Sequence, residues 1–372
     1  MISLGTGGMV NRIPVTWIWE IMKAVLGLED GTFVKGWGFG VEGERFGELV
    51  FTTQMTGYME ALTDPSYHGQ ILMFTFPQIG NYGVDKNNFQ SDRVWAEGCV
   101  IREACQKPEY NSNITSFFEN EGLSGISGVD TRKLTITTRE QGTLRACLVT
   151  GDDNEEYAIQ KARDTPVIAD KDLIPAVSTK QPYHISGSGE KIAVLDLGIK
   201  KNMIISLKNR EADMSVFPYN TGKDEILADR PKALFISNGP GDPACVTKAI
   251  QTVKDIIGEI PVFGICMGNQ ICGLSLGGST KKMKFGHRGA NQPVRHWDKT
   301  VAITSQNHGF VLDEETLPEG CQVSYVNMND GTLEGFDDDY LDIHCVQFHP
   351  EAHSGPHDTE KSFFDEMFRR LL

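Results

Sequence analysis

At 372 residues the chain exceeds the size at which one hydrophobic core stops growing, so two domains are expected. Hydrophobic residues at 40% and charged residues at 23% describe an ordinary globular protein rather than a disordered one. The net charge of -15 excludes a phosphate-binding surface of clustered Lys and Arg, so no nucleic acid is expected, and the short run KKMK at 281–284 reads as a solvated strand edge.

In chain order, the first apolar stretch is PVTWIWEIMKAVLGL, which Glu20 and Lys23 interrupt too early for a membrane span. It lacks a basic n-region and a small-residue cleavage site, so no secretory signal is expected either. Residues 1–21 read as an N-terminal extension, or as sequence upstream of a start at Met22. The glycines at 5, 7 and 8 follow no strand and form no dinucleotide fingerprint.

From Ala24 to about Thr150 short extended runs alternate with turns. Asp30-Gly31 marks a hairpin, and turns at Asp64-Pro65 and Gly80-Asn81 bracket the strand ILMFTF. This half, residues 22–177, reads as a mixed α and β domain. Residues 178–190, STKQPYHISGSGE, have the polar, Gly/Ser-containing composition of a linker. Residues 191–372 then alternate strands (IAVLDL, MSVFPY, ALFIS, PVFGI) with helices, which predicts an α/β fold, doubly wound around a mostly parallel sheet. Later segments (VAITSQ, QVSYVN, TLEGFD, DIHCVQF) are strand-like, and SFFDEMFRRLL closes the chain as a helix with one apolar face.

Ligands of open α/β sheets bind beyond the carboxyl ends of the strands, which singles out three loops: NGPGDP at 238–243, ICMGNQ at 265–270 and HPEAH at 349–353. Gly264-Ile-Cys266-Met-Gly268 has the form of a nucleophile elbow with sulfur in place of oxygen, its glycines leaving room for a tight strand-to-helix turn. A thiol at a helix N-terminus is biased toward thiolate. A packing cysteine is the alternative that the elbow alone leaves open. His349 and Glu351, at i and i+2 of an extended segment, project to one side, where the carboxylate can orient the imidazole as a base. Pro350, Gly355 and Pro356 deny His344, His349, His353 and His357 a common helical face, so no metal is expected. The glycines of NGPGDP permit close backbone approach and can aim N–H groups at an oxyanion. The eight cysteines contain no C-x-x-C pair and read as reduced thiols of a cytoplasmic protein. Asn113-Ile-Thr matches a glycosylation acceptor by chance.

These three loops, in this order, resemble the triad-type, class I glutamine amidotransferases. SNGPGDP, PVFGICMGNQ, KMKFGHRGANQPV, SQNHGF and FHPEA, with MTGYMEALTDPSY and DTRKLT in the first half, narrow the resemblance to small subunits of carbamoyl-phosphate synthases, from about Met22 to the C-terminus. The resemblance implies a swivelling β/β/α-like first domain and a glutaminase second domain that hydrolyses L-glutamine. It implies Cys266 as nucleophile, His349 as acid and base, and Glu351 as its orienting group. Glutamine and its oxyanion would be held by Ser66, Gly239, Gly241, Met267, Gln270, Asn307, Gly309 and Phe310, oxyanion donors being worth roughly 3 kcal/mol. No cofactor is implied for this chain. A large partner subunit using ATP, Mg2+ and bicarbonate is, with ammonia passed through a tunnel and higher oligomers of the heterodimer conceivable. Asn269, where the family often has His, and His353, where a small residue is common, are departures that bear on affinity or coupling. The competing readings are a glutaminase serving another amidotransferase, a non-catalytic scaffold, and a cysteine peptidase.

Overall fold

A computed structural model of the chain describes residues 22–109, 112–167 and 171–371. The readings of residues 1–21 lie outside the described residues. The first half is a closed barrel. Its elements run β1 (Lys23–Leu28), β2 (Phe33–Gly40), β3 (Gly43–Thr52), α1 (Tyr58–Leu62), β4 (Gln70–Phe74), β5 (Gln78–Ile79), β6 (Gly98–Val100), β7 (Glu103–Ala104), α2 (Ile114–Asn120), β8 (Ser124–Ser127), α3 (Thr131–Gln141), β9 (Leu144–Thr150), α4 (Glu155–Asp164) and α5 (Ile174–Val177). The barrel order is β1-β2-β8-β6-β4-β3-β9. The predicted hairpin is present: Gly31 takes φ 96° and Asp30 Oδ1 accepts the Thr32 N–H at 2.7 Å. Closure comes from β1 pairing with β9, Ala24 opposite Thr150, a contact with no local sequence signal.

Strand alternation sorts the barrel's apolar side chains. Leu26, Leu49, Ile71, Met73 and Leu148 pack together on one face, while Val25, Cys147 and Val149 turn the other way onto Ala158 and Ala162 of α4. On a third side, Val50, Leu72 and Phe74 meet Tyr58, Met59 and Leu62 of α1 and Phe117 and Phe118 of α2. Asn113 is the N-cap of α2, its Oδ1 accepting the Ser116 N–H at 2.8 Å, so this Asn serves helix initiation.

The second half forms one ten-stranded sheet. It comprises β10 (Tyr183–Ile185), β11 (Lys191–Asp196), α6 (Lys201–Lys208), β12 (Asp213–Pro218), α7 (Lys223–Ala228), β13 (Ala233–Ile236), α8 (Thr247–Ile256), β14 (Val262–Ile265), α9 (Met267–Ser275), β15 (Thr280–His296), β16 (Val301–Leu312), β17 (Gln322–Asn327), β18 (Leu333–Asp338), β19 (Ile343–Val346) and α10 (Glu360–Arg370). The order is β10-β12-β11-β13-β14-β19-β18-β17-β15-β16. Strands β12, β11, β13, β14 and β19 pair in parallel, and the remainder are antiparallel. Fully buried Ala193, Leu195, Leu234 and Ile236 face α8 and α9, while Val194, Phe235, Phe263 and Ile265 face α6 and α10.

Two local expectations need correction. Tyr183–Ile185, within the stretch read as a linker, pairs antiparallel with β12 as an edge strand. The KKMK run is not simply solvated. Lys282 pairs with Glu48 of the barrel, Lys281 with Asp313, and the Lys284 carbonyl accepts the Thr143 N–H at 3.0 Å. The run contributes to the seam between the two halves, because β15 pairs with β17 only at Val294–His296 and leaves one backbone side of its first half open for a neighbour to satisfy.

Candidate active site

Strand β14 ends at Ile265, and Cys266 follows as the N-cap of α9 with φ 57° and ψ -104°, a left-handed conformation costly for any residue with a Cβ. Both glycines of the elbow are required by close approach. A Cβ on Gly264 would lie 2.6 Å from the Gly268 carbonyl carbon, and one on Gly268 would lie 2.2 Å from the Ile236 oxygen. The Cys266 N–H donates to the Val346 carbonyl at 2.9 Å, fastening the turn to the end of β19. The sulfur is only 2% exposed and donates to the Asn307 carbonyl at 3.6 Å.

From β19 the chain bends, and His349 forms a single bridge to Ser305 of β16. His349 and Glu351 lie in a turn closed by the Ala352 N–H on the His349 carbonyl at 3.1 Å, not in an extended segment. The turn nevertheless brings them together, with His349 Nδ1 donating to Glu351 Oε1 at 2.8 Å. That carboxylate also receives Lys200 Nζ at 2.8 Å, and Lys200 itself is buried just before α6. Burial pushes the Glu351 carboxyl up, but the charges of Lys200 and His349 prevail and hold it at about 2. Burial likewise disfavours imidazolium at His349, yet the Glu351 charge, aided by Cys266 and opposed by Lys200, raises it to about 9. His349 Nε2 makes no full hydrogen bond among the described residues, and its interaction with Cys266 leaves it placed to exchange a proton with the sulfur.

One cleft is lined by Cys266, Met267 and Gln270 of the elbow, Gly239 and Gly241 of the loop after β13, Asn307, Gly309 and Phe310 of β16, and Ser66 of the barrel domain. The eight residues expected to hold substrate thus share one cavity with the sulfur. His349 lines a second recess with Asp64, Lys200 and Asn307. Gln270 Nε2 donates to the Phe310 carbonyl at 2.7 Å and to Gln347 Oε1 at 3.0 Å, so the elbow helix also sets the conformation of β16. Met267 does double duty, lining the cleft while packing beside Ile271 in the core of the α8 side.

Sequence reasoning missed the seam that makes the cleft. Asp64 Oδ1 accepts the Ser66 N–H at 2.9 Å and Asn238 Nδ2 at 3.4 Å, while its Oδ2 accepts Asn307 Nδ2 at 3.2 Å. Asn238 Nδ2 also donates to Ser66 Oγ at 2.8 Å, and Asn238 Oδ1 accepts the Lys200 N–H at 3.1 Å. The Asp64-Pro65 turn was legible as a turn only, and Lys200 looks in the sequence like any lysine ahead of a helix. Of the departures, Asn269 is fully buried and donates to Gln347 Oε1 at 3.2 Å, away from the cleft lining, and His353 is exposed beside His357, ring centroids 5.0 Å apart.

The four histidines weighed as ligands do not gather at one point: His344 pairs with Asp337 and stacks on Phe263, His349 pairs with Glu351, and His353 stands with His357. A different cluster, His287, His308 and Glu334, gathers behind β16. Both His287 nitrogens face carboxylates, Glu334 at 3.1 Å and Asp330 at 3.0 Å, and these raise it above its ordinary value against the cost of burial. Each His287 nitrogen is thus already engaged by a carboxylate oxygen. No helix among the described residues is long and apolar enough to cross a membrane.

Residues 26–148 match the family described as carbamoyl-phosphate synthase small chain, CPSase domain, and residues 193–368 match glutamine amidotransferase class-I. The chain is 54% identical over 364 residues to the carbamoyl phosphate synthase small chain of Methanosarcina acetivorans, covering 94% of this chain and 99% of the relative. The same-named proteins of Methanocaldococcus jannaschii and Clostridium acetobutylicum are 48% and 46% identical, covering 94% and 92% of this chain and 99% and 98% of theirs. Elbow, triad and seam thus sit in a chain that belongs to the carbamoyl-phosphate synthase small chain family and is a glutaminase subunit of that enzyme.

Proposed function

We propose that Cys266, His349 and Glu351 hydrolyse the side-chain amide of L-glutamine. The Cys266 sulfur attacks the amide carbon as thiolate, its proton having passed to His349 Nε2. The oxyanion that forms faces the Met267 N–H and the loop at Gly239 and Gly241, and Ser66, Gln270, Asn307, Gly309 and Phe310 hold the rest of the substrate. His349, protonated at neutral pH, delivers its Nε2 proton to the departing nitrogen, so ammonia leaves and a thioester remains. The neutral imidazole then takes a proton from water, whose oxygen displaces sulfur and releases glutamate. Glu351 keeps Nδ1 occupied in both halves of the cycle, and Lys200 keeps Glu351 ionised.

Ammonia is the product of use to the enzyme, and it reacts only while uncharged. It passes to a large subunit that consumes ATP with Mg2+ and bicarbonate and makes carbamoyl phosphate. The observation that carries this reading is the gathering of the eight expected substrate-holding residues and the sulfur's acid-base partner around one buried thiol. The first-half match to the small chain family favours it over a glutaminase for another amidotransferase. The complete triad favours it over a scaffold without catalysis.

Cys266→Ala tests it. In complex with the large subunit, glutamine-dependent carbamoyl phosphate synthesis is lost and ammonia-dependent synthesis persists. Retained glutamine use in that variant rules the thiol out as nucleophile.

A further inference from the structure

The glutamine cleft has two cationic side chains in its wall, Lys282 and Arg288. Lys282 is paired with Glu48. Arg288 is 4% exposed, and among the described residues no carboxylate lies within ion-pair distance of it. Its Nη1 donates to the Phe285 carbonyl at 2.6 Å, while its Nε is buried without a hydrogen-bond partner among the described residues. A Cβ placed on Gly309 would lie 3.1 Å from Arg288 Nη2, so the guanidinium edge runs along the glycine at the cleft wall. In the strand ladder Arg288 stands opposite Asn307, the residue whose carbonyl touches the Cys266 sulfur.

A desolvated guanidinium with an unused donor is costly unless an anion completes it. The remaining predicted binding groups in the cleft are a hydroxyl, amides and backbone, all neutral. Glutamine brings one anion, its α-carboxylate, several bonds from the amide carbon that the sulfur attacks. We propose that Arg288 receives that carboxylate and makes the site selective for the free amino acid over amides of the same shape that lack the charge. The assignment rests on the glutaminase reading above. Guanidinium suits the task better than ammonium because its fork meets two carboxylate oxygens at once.

The test uses the full chain in complex with its large subunit. Arg288→Gln is expected to raise KM for glutamine about 100-fold while lowering kcat less than tenfold, as loss of an interaction common to ground and transition states does. Arg288→Lys restores part of the loss. Alkylation of Cys266 by iodoacetamide, which carries no carboxylate, proceeds at the wild-type rate within twofold in both variants, and this reports an intact elbow. The glutamine concentration that half-protects the thiol rises in step with KM. Protection by 4-aminobutanamide, which is glutamine without its carboxylate, is equally weak in wild type and variants. Unchanged glutamine protection in Arg288→Gln, or an equal loss for both protectants, overturns the assignment and leaves Arg288 as a prop for the Phe285 carbonyl. If the Gln variant does not fold, Arg288→Lys carries the same comparison, with unchanged glutamine protection again overturning it. A wild type that releases no glutamate from glutamine overturns the glutaminase reading itself, and the assignment with it.

Discussion

The charges at the centre alternate in sign from Lys200 to Glu351 to His349, and His349 faces the thiol. Each link sets the next, and the pH dependence follows. His349, raised from 6.5 to about 9, contributes stability that is fully present below pH 6.5 and is lost as pH rises through about 9. Glu351, lowered from 4.5 to about 2, contributes stability present above pH 4.5 and lost as pH falls toward about 2. The rate of the step that protonates the departing amide nitrogen should therefore decline on an alkaline limb near pH 9, readable in single-turnover ammonia release. In Lys200→Met that limb moves to higher pH, because the cation that opposed His349 protonation is gone. The same variant leaves Glu351 buried without its cation, and unfolding in urea should show it destabilised by about 3 kcal/mol. Cys266, His349 and Glu351 were legible because their chemistry demands those residue types in a recognisable local pattern. Lys200 and Arg288 were not, since a buried cation and a surface one are written with the same letters, and only the fold distinguishes them.

At the scale of elements, the elbow is a joint between β14 and α9 with no spare volume. Gly268→Ala would press a methyl group onto the Ile236 carbonyl at the end of β13. The expected result is a lowered melting temperature together with slower alkylation of Cys266, as strand and helix separate. Should the variant melt like wild type and alkylate at the same rate, the approach of the two backbones is not what selects glycine here. The parallel half of the sheet could be read in advance because each strand is a short apolar run and each helix an amphipathic one, patterns set by neighbours in sequence. The barrel could not, since β1 and β9 meet across more than a hundred residues and neither carries a mark of the other. The 349–351 pair illustrates a third case. Its contact was anticipated from an extended geometry, and a turn achieves the same contact by a different path.

For the whole molecule, the seam between barrel and sheet is polar and passes through the site. Asp64→Ala would remove acceptors from Asn238 and Asn307 together, leaving two buried amides underused. Glutamine KM should rise at least tenfold, and calorimetry should resolve barrel and sheet as separate transitions where the wild type shows one. A single transition and an unchanged KM would mean that the halves are held by other contacts, such as Thr143 on Lys284. Because a single carboxylate holds one group on the loop after β13 and one in the middle of β16, the barrel cannot tilt without tugging on the strand whose carbonyl touches sulfur. Whatever grips the barrel from outside therefore has a handle on the reagent within, and the pace of ammonia release can be geared to a partner that never enters the cleft.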